Sequence, residues 1–193
     1  MSAEIRAEAP DVVALAETIA EALPSDAIVA GDSSQIVYLG LANVLRQARP
    51  HSLLYTPTYA TLGYGLPAAI GARVAAPERP VVAVIGDGAL MFCVNELATA
   101  VEQRLDLVVV CVDNGGYAEI RQNEVDRGIR PIGVDLVQPD WPLLARAFGG
   151  EGRRAATAVE IGPAISAALA AGGVQLVHIP QAAVSATQTG GES

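Results

Sequence analysis

The feature that most limits what this chain can fold into is an alternation. Short runs of uninterrupted aliphatic residues take turns with stretches of helical spacing. Residues 81–85 (VVAVI) and 107–112 (LVVVCV) carry no polar side chain on either face. A strand that is apolar on both faces must be covered on both, which marks a central strand of a parallel sheet. Residues 27–30 and 174–179 read as two further strands. Between these runs the spacing predicts helices over 11–23, 36–48, 65–74, 90–103, 141–148 and 161–171. The first places Val12, Leu15, Ala16, Ile19 and Leu23 on one face and stops at Pro24; the third is closed by Pro77 and Pro80. Strands that alternate with helices predict an α/β domain: a three-layer α/β/α arrangement around a mostly parallel sheet.

A chain of 193 residues suits one such domain. The expected organisation is a flexible leader over 1–9, the domain over 10–182 and a disordered tail over 183–193, rich in Ser, Thr and Gly. The net charge of -9 excludes nucleic acid as a partner, because nothing here could neutralise a run of phosphates. The polar start is not a signal peptide. No apolar run approaches the roughly 20 residues that span a bilayer. A cytoplasmic location without membrane contact is the expectation. Cys93 and Cys111 lie within apolar runs, without metal-ligand spacing, and read as small buried hydrophobes.

In parallel α/β sheets, ligands bind beyond the carboxyl ends of the strands. This chain puts polar, turn-forming residues at three such ends: Gly31-Asp32-Ser33-Ser34, Gly86-Asp87-Gly88 and Asp113-Asn114-Gly115-Gly116. At the second, glycines let a ligand approach the backbone, and the start of the next helix offers free N–H groups to an anion such as phosphate. Asp87 would repel that anion unless a cation lay between them. Mg²⁺ suits the role, since it takes one or two protein oxygens together with phosphate oxygens and water. Asn114 adds a neutral side-chain oxygen one helix and one strand later, and Gly116 a backbone carbonyl. Either tip alone would read as a plain turn, Asn-Gly being a common turn pair; the two together point to a metal-bound diphosphate. No Gly-x-Gly-x-x-Gly follows the first strand, which sets aside a dinucleotide fold.

These residues resemble the thiamine-diphosphate-dependent enzymes that decarboxylate or ligate 2-oxo acids, whose cofactor motif runs from Gly-Asp-Gly to Asn-Asn. Here the motif stands as Gly86-Asp87-Gly88 to Asp113-Asn114, with Asp113 departing from the usual first Asn. The resemblance implies the thiamine diphosphate-binding fold, with Asp87, Asn114 and the carbonyl of Gly116 as metal ligands. The segment Thr61-Leu62-Gly63-Tyr64-Gly65-Leu66-Pro67 is similar to the one that holds the cofactor rings. Leu62 would wedge beneath the bent cofactor, and the backbone of Ala60 and Leu62 would meet the pyrimidine. Ser34 and Gln35 match the loop that meets the terminal phosphate; read as residues alone, they are an N-cap and a solvated side chain nearly as well. Gly86, Gly88, Ala89 and Tyr117 complete the implied cofactor-binding set. Residues 55–63 and 116–121 look most like the acetolactate-synthase-like 5-guanidino-2-oxopentanoate decarboxylases.

The family's activating glutamate resides on a separate pyrimidine-binding domain, for which 193 residues leave no room. Glu96 falls on the phosphate side and reads as structural; Glu119 is a candidate to meet substrate, as are Arg121 and Gln122. His51 reads as a solvated loop residue and His178 as packing. The expectation is therefore a cofactor holder that needs a pyrimidine-binding domain or subunit, forms a homo-oligomer, acts on a 2-oxo acid only with that partner, and is inactive alone. The alternative is a non-catalytic assembly module that keeps the fold and uses the small-residue helix from Gly65 as a contact surface.

Overall fold

The structure, a computed structural model, describes residues 3–182. The predicted tail over 183–193 lies outside the described residues. A short helix α1 (Ala3–Glu8) occupies the stretch expected as a leader, and Arg6 pairs with Glu17 on the next helix. Then follow α2 (Pro10–Ala22), β1 (Ile28–Gly31), a π-helix (Ile36–Leu41), α3 (Ala42–Val44), β2 (Leu53–Leu54), α4 (Gly65–Ala75) and β3 (Val81–Gly86). The second half runs α5 (Asp87–Leu90), α6 (Glu96–Glu102), β4 (Leu107–Asp113), α7 (Ala118–Asp126), α8 (Trp141–Ala147), β5 (Glu151–Arg154), α9 (Ala158–Ala171) and β6 (Val174–Pro180).

The six strands form one sheet in the order β2-β1-β3-β4-β6-β5, and every pairing is parallel. Two cores sandwich it. On one face Val29, Val82, Val84, Val108 and Val110 pack against α2, the π-helix and α9; on the other Ala30, Ala83, Ile85, Val109 and Leu176 pack against α4, α6 and α8. Strand residues alternate between the two clusters, which is why β3 and β4 are apolar at nearly every position. The three-layer α/β/α expectation holds, with a sheet that is wholly parallel.

Two expected helices differ, and three elements are added. The helix over 36–48 is a π-helix followed by three α-helical residues and ends before Leu45, whose extended backbone stops it. The helix over 90–103 is two pieces, because residues 91–95 form turns between α5 and α6. This shortens the helix behind Asp87 to a single turn, so the anion attraction expected of a long helix dipole there reduces to that of a few free N–H groups. Strands β2 and β5 and helix α7 have no apolar periodicity: β5 is Glu-Gly-Arg-Arg on a sheet edge, and no residue of α7 is buried.

Chain order fixes where a ligand can sit. The chain leaves β1 for β2 on one side and comes back to β3 on the other, so β1 and β3 flank the switch point of the sheet. The three polar strand ends belong to β1, β3 and β4, which are adjacent.

Candidate cofactor and metal site

A cleft opens above these three strand ends. Ser34, Gln35, Leu62, Gly86, Asp87, Gly88, Ala89, Asn114, Gly116 and Tyr117 all line it. Ala60 does not line it; it is exposed and has a positive φ of 55°. Ser33, Tyr38, Ala118, Glu119 and Ile120 complete the wall.

The deepest group is Asp87, 1% exposed. Its Oδ1 accepts the backbone N–H of Asn114 at 3.3 Å, and its Oδ2 accepts Nε2 of Gln138 at 2.6 Å. Burial pushes the carboxyl above its ordinary range and the charge of Asp113 adds to this, while the N–H groups of Asn114 and Gly88 and the Gln138 amide pull the other way. A buried carboxylate short of positive partners is a place where a cation gains energy.

The outer atom of the Asn114 amide stands 3.0 Å from the Gly116 carbonyl oxygen and 3.2 Å from Asp87 Oδ1. As oxygen it makes, with those two, a triangle of hard donors. Octahedral Mg²⁺ bonds of about 2.0–2.1 Å set neighbouring ligand oxygens about 2.9 Å apart, close to both separations made by the Asn114 amide. As nitrogen, with the amide turned over, the same atom donates to both oxygens. No group of three His, Cys, Asp or Glu side chains able to hold a metal occurs among the described residues. One carboxylate, one amide and one carbonyl suit a hard, oxygen-seeking ion rather than zinc.

Gly116 can turn its carbonyl inward because its φ is 134°, and a side chain there would collide with the Val134 carbonyl. That closeness has a partner on each side: Tyr117 N–H donates to Val134 O, and Leu136 N–H to Gly115 O, both at 2.9 Å. Beside Gly86 the Ser34 hydroxyl is buried and has no hydrogen-bond partner among the described residues. An orphaned hydroxyl on a residue that lines a cleft is one that a phosphate oxygen could satisfy. The chemistry of the wall thus fits a diphosphate bridged to a magnesium-type ion.

Asp32, the neighbour of the expected phosphate-binding residues Ser34 and Gln35, organises the cleft. Its fully buried carboxylate accepts from the backbone N–H of Ser33 at 2.9 Å, of Gly63 at 3.1 Å and of Gly65 at 2.8 Å. One side chain thereby ties the β1 loop to the segment that presents Leu62.

A family model described as thiamine pyrophosphate enzyme, C-terminal TPP binding domain, matches residues 36–179. The chain belongs to this family. A Pseudomonas aeruginosa protein named "Probable 2-ketoarginine decarboxylase" is 39% identical over 188 residues, 94% of this chain and 33% of that protein. Benzoylformate decarboxylase of the same species is 33% identical over 161 residues, 81% of this chain and 30% of its own length. A thiamine diphosphate-dependent 4-hydroxybenzoylformate decarboxylase of Rhodococcus jostii superimposes with a TM-score of 0.79 at 28% identity, covering 88% of this chain and 32% of that one. The chain spans about a third of the length of these relatives.

Within this TPP-binding domain the departure at Asp113 has a counterpart. Asp113 Oδ2 lies 2.9 Å from Nε2 of His178 on the adjoining strand, and its Oδ1 accepts the Gly115 N–H at 3.0 Å. Burial alone would raise the Asp113 carboxyl; the hydrogen bonds from His178 and Gly115, with the charges of His178 and Arg154, outweigh it and hold the group below its ordinary range. His178 is thus a partner of Asp113, at the start of the loop between β4 and α7, as well as a packing residue. Glu96 accepts from Asn95 and Thr99 away from the cleft. Arg121 pairs with Asp135 and Gln122 with Asp126, so both are engaged outside it. His51 is exposed in a loop. Cys93 and Cys111 are buried and unbridged. No helix among the described residues is long and apolar enough to cross a membrane.

Proposed function

We propose that this domain anchors magnesium thiamine diphosphate for a 2-oxo acid decarboxylase or carboligase. Asp87, Asn114 and the Gly116 carbonyl hold the ion; Ser34, Gln35 and the backbone of Gly86, Gly88 and Ala89 meet the diphosphate; Leu62 supports the rings and Tyr117 closes one wall. The observation that carries the reading is the convergence of Asp87 Oδ1, the Asn114 amide and the Gly116 carbonyl oxygen in a cleft also lined by Ser34, whose hydroxyl is unpartnered. The bound cofactor supplies the carbanion chemistry, while the protein supplies position and electrostatics. A pyrimidine-binding domain or subunit provides the activating glutamate, and catalysis takes place in the assembly, a homo-oligomer in the cytoplasm.

The substrate class follows from the 2-ketoarginine relative together with one residue of this chain. Glu119 lines the cleft with its carboxylate exposed. A negative group at the mouth suits a 2-oxo acid that ends in a guanidinium. No observation favours the assembly-module alternative.

The test is a calorimetric titration of thiamine diphosphate with and without Mg²⁺. Binding should depend on the ion and vanish in Asp87→Ala. Ion-independent binding, or binding unchanged in that variant, refutes the metal assignment.

A further inference from the structure

Gln138 stands 51 residues from Asp87 in sequence, and nothing in its local sequence marks it. We propose that Gln138 is a positioning residue for the metal-binding carboxylate of Asp87 and links it to Trp141. The inference rests on the magnesium reading above.

Three observations converge. Gln138 Nε2 donates to Asp87 Oδ2 at 2.6 Å, which commits that oxygen and leaves Oδ1 as the one facing Asn114. The indole Nε1 of Trp141 donates to Gln138 Oε1 at 3.2 Å. An indole N–H can only donate, so the Gln138 amide can only present its oxygen to Trp141 and its NH₂ to Asp87. The amide therefore has one orientation. Trp141 is itself immobile: it is fully buried at the start of α8, whose N-terminus is capped by Asp140 accepting the Leu143 N–H at 2.9 Å.

The segment that carries Gln138 is fastened to the metal loop as well. Residues 134–136 are bonded to residues 115–117 by the Tyr117–Val134 and Leu136–Gly115 backbone contacts. The loop that supplies Asn114 and Gly116 and the loop that orients Asp87 are thus one unit. Groups of this kind, which hold a ligand by hydrogen bonding to its far side, typically govern metal affinity by about 10- to 100-fold. A glutamate at 138 would set a second carboxylate against Asp87, and a leucine would leave Oδ2 buried without a donor.

Trp141 is the single tryptophan of the chain, so the relay carries its own reporter. The experiment measures Mn²⁺ affinity by electron paramagnetic resonance in saturating thiamine diphosphate, and Trp141 fluorescence in parallel, on the 193-residue chain. Wild type should bind Mn²⁺ with a change in Trp141 emission. Gln138→Leu should bind about 10- to 100-fold more weakly and lose the emission change. Trp141→Phe, which keeps an aromatic ring but removes the donor, should weaken Mn²⁺ several-fold; it keeps the test decisive if the leucine variant does not fold. Equal Mn²⁺ affinity in wild type and either folded variant overturns the positioning role while the metal reading stands. Absence of Mn²⁺ binding in wild type overturns both.

Discussion

Gly88 lies against one side of the ring of Tyr117. A methyl group on Gly88 would stand 2.8 Å from Cε1 and 2.9 Å from Cδ1 of that ring, and 3.2 Å from the Gly116 carbonyl oxygen. Tyr117 is held in turn by an edge-to-face contact with Phe92, ring centroids 6.4 Å apart. Gly88→Ala must displace either the ring or the metal-loop carbonyl. The expected cost is about 1–3 kcal/mol in urea unfolding, with weaker thiamine diphosphate binding. Because the collision is with one side chain, Gly88→Ala combined with Tyr117→Ala should cost less than the sum of the two single changes. Additive costs would show that the ring is not what excludes the methyl group.

Ser34→Ala separates stability from ligand binding. The hydroxyl is buried without a partner, so its removal gives up no hydrogen bond in the free protein. Unfolding free energy should stay within about 0.5 kcal/mol of wild type or rise. A hydrogen bond to a charged phosphate is worth about 1.5–3 kcal/mol, so thiamine diphosphate should bind about 10- to 100-fold more weakly. Calorimetry and urea melts on the same variant check both halves.

Asp32 gives a pH signature. Burial raises its carboxyl, outweighing the N–H groups of Gly65, Ser33, Gly63 and Tyr64. Folding therefore favours the protonated form. Its ionisation contribution to stability is fullest below the unfolded carboxylate value and declines as the pH rises through the raised folded value. The stability of wild type relative to Asp32→Asn should fall across that window, just above the ordinary carboxylate range. A pH-independent difference would contradict the assignment. Asp32→Ala is harsher, since it strands several backbone donors; about 3 kcal/mol or more of stability should be lost.

Glu119→Gln tests the substrate class in the enzyme that includes the pyrimidine-binding domain. The charge is exposed, so its pairing with a guanidinium is modest. KM for a guanidino 2-oxo acid should rise about two- to fivefold, and KM for a neutral 2-oxo acid of similar length should stay unchanged. A parallel rise for both would remove Glu119 from substrate recognition.

What was legible in the sequence divides along physical lines. Strands β3 and β4 were visible because burial on both faces leaves no room for polar residues. The cleft wall was visible because its residues are the polar and glycine interruptions at the ends of those strands. Gln138 was not, because the Gln138–Asp87 contact exists only after the loop before α8 folds back over residues 115–117. Asp32 was hidden differently: its carboxylate serves backbone N–H groups, and those leave no mark in side-chain type. Edge strand β5 and exposed helix α7 lack buried faces, so periodicity had nothing to register.

The Asn114 amide has a consequence for how the proposed ion arrives. Its outer atom serves the same two oxygens either as a hydrogen-bond donor or as a fellow ligand, and the change between them is a half-turn about one bond. The loop need not fold when the ion enters, because β3 and β4 pair in register up to its base and residues 134–136 clamp its far side. Loading of the proposed ion would then be a change of torsion inside a finished socket. Its speed should be set by how reluctantly Mg²⁺ gives up its water, so a faster-exchanging ion such as Mn²⁺ should enter sooner without any difference in the protein.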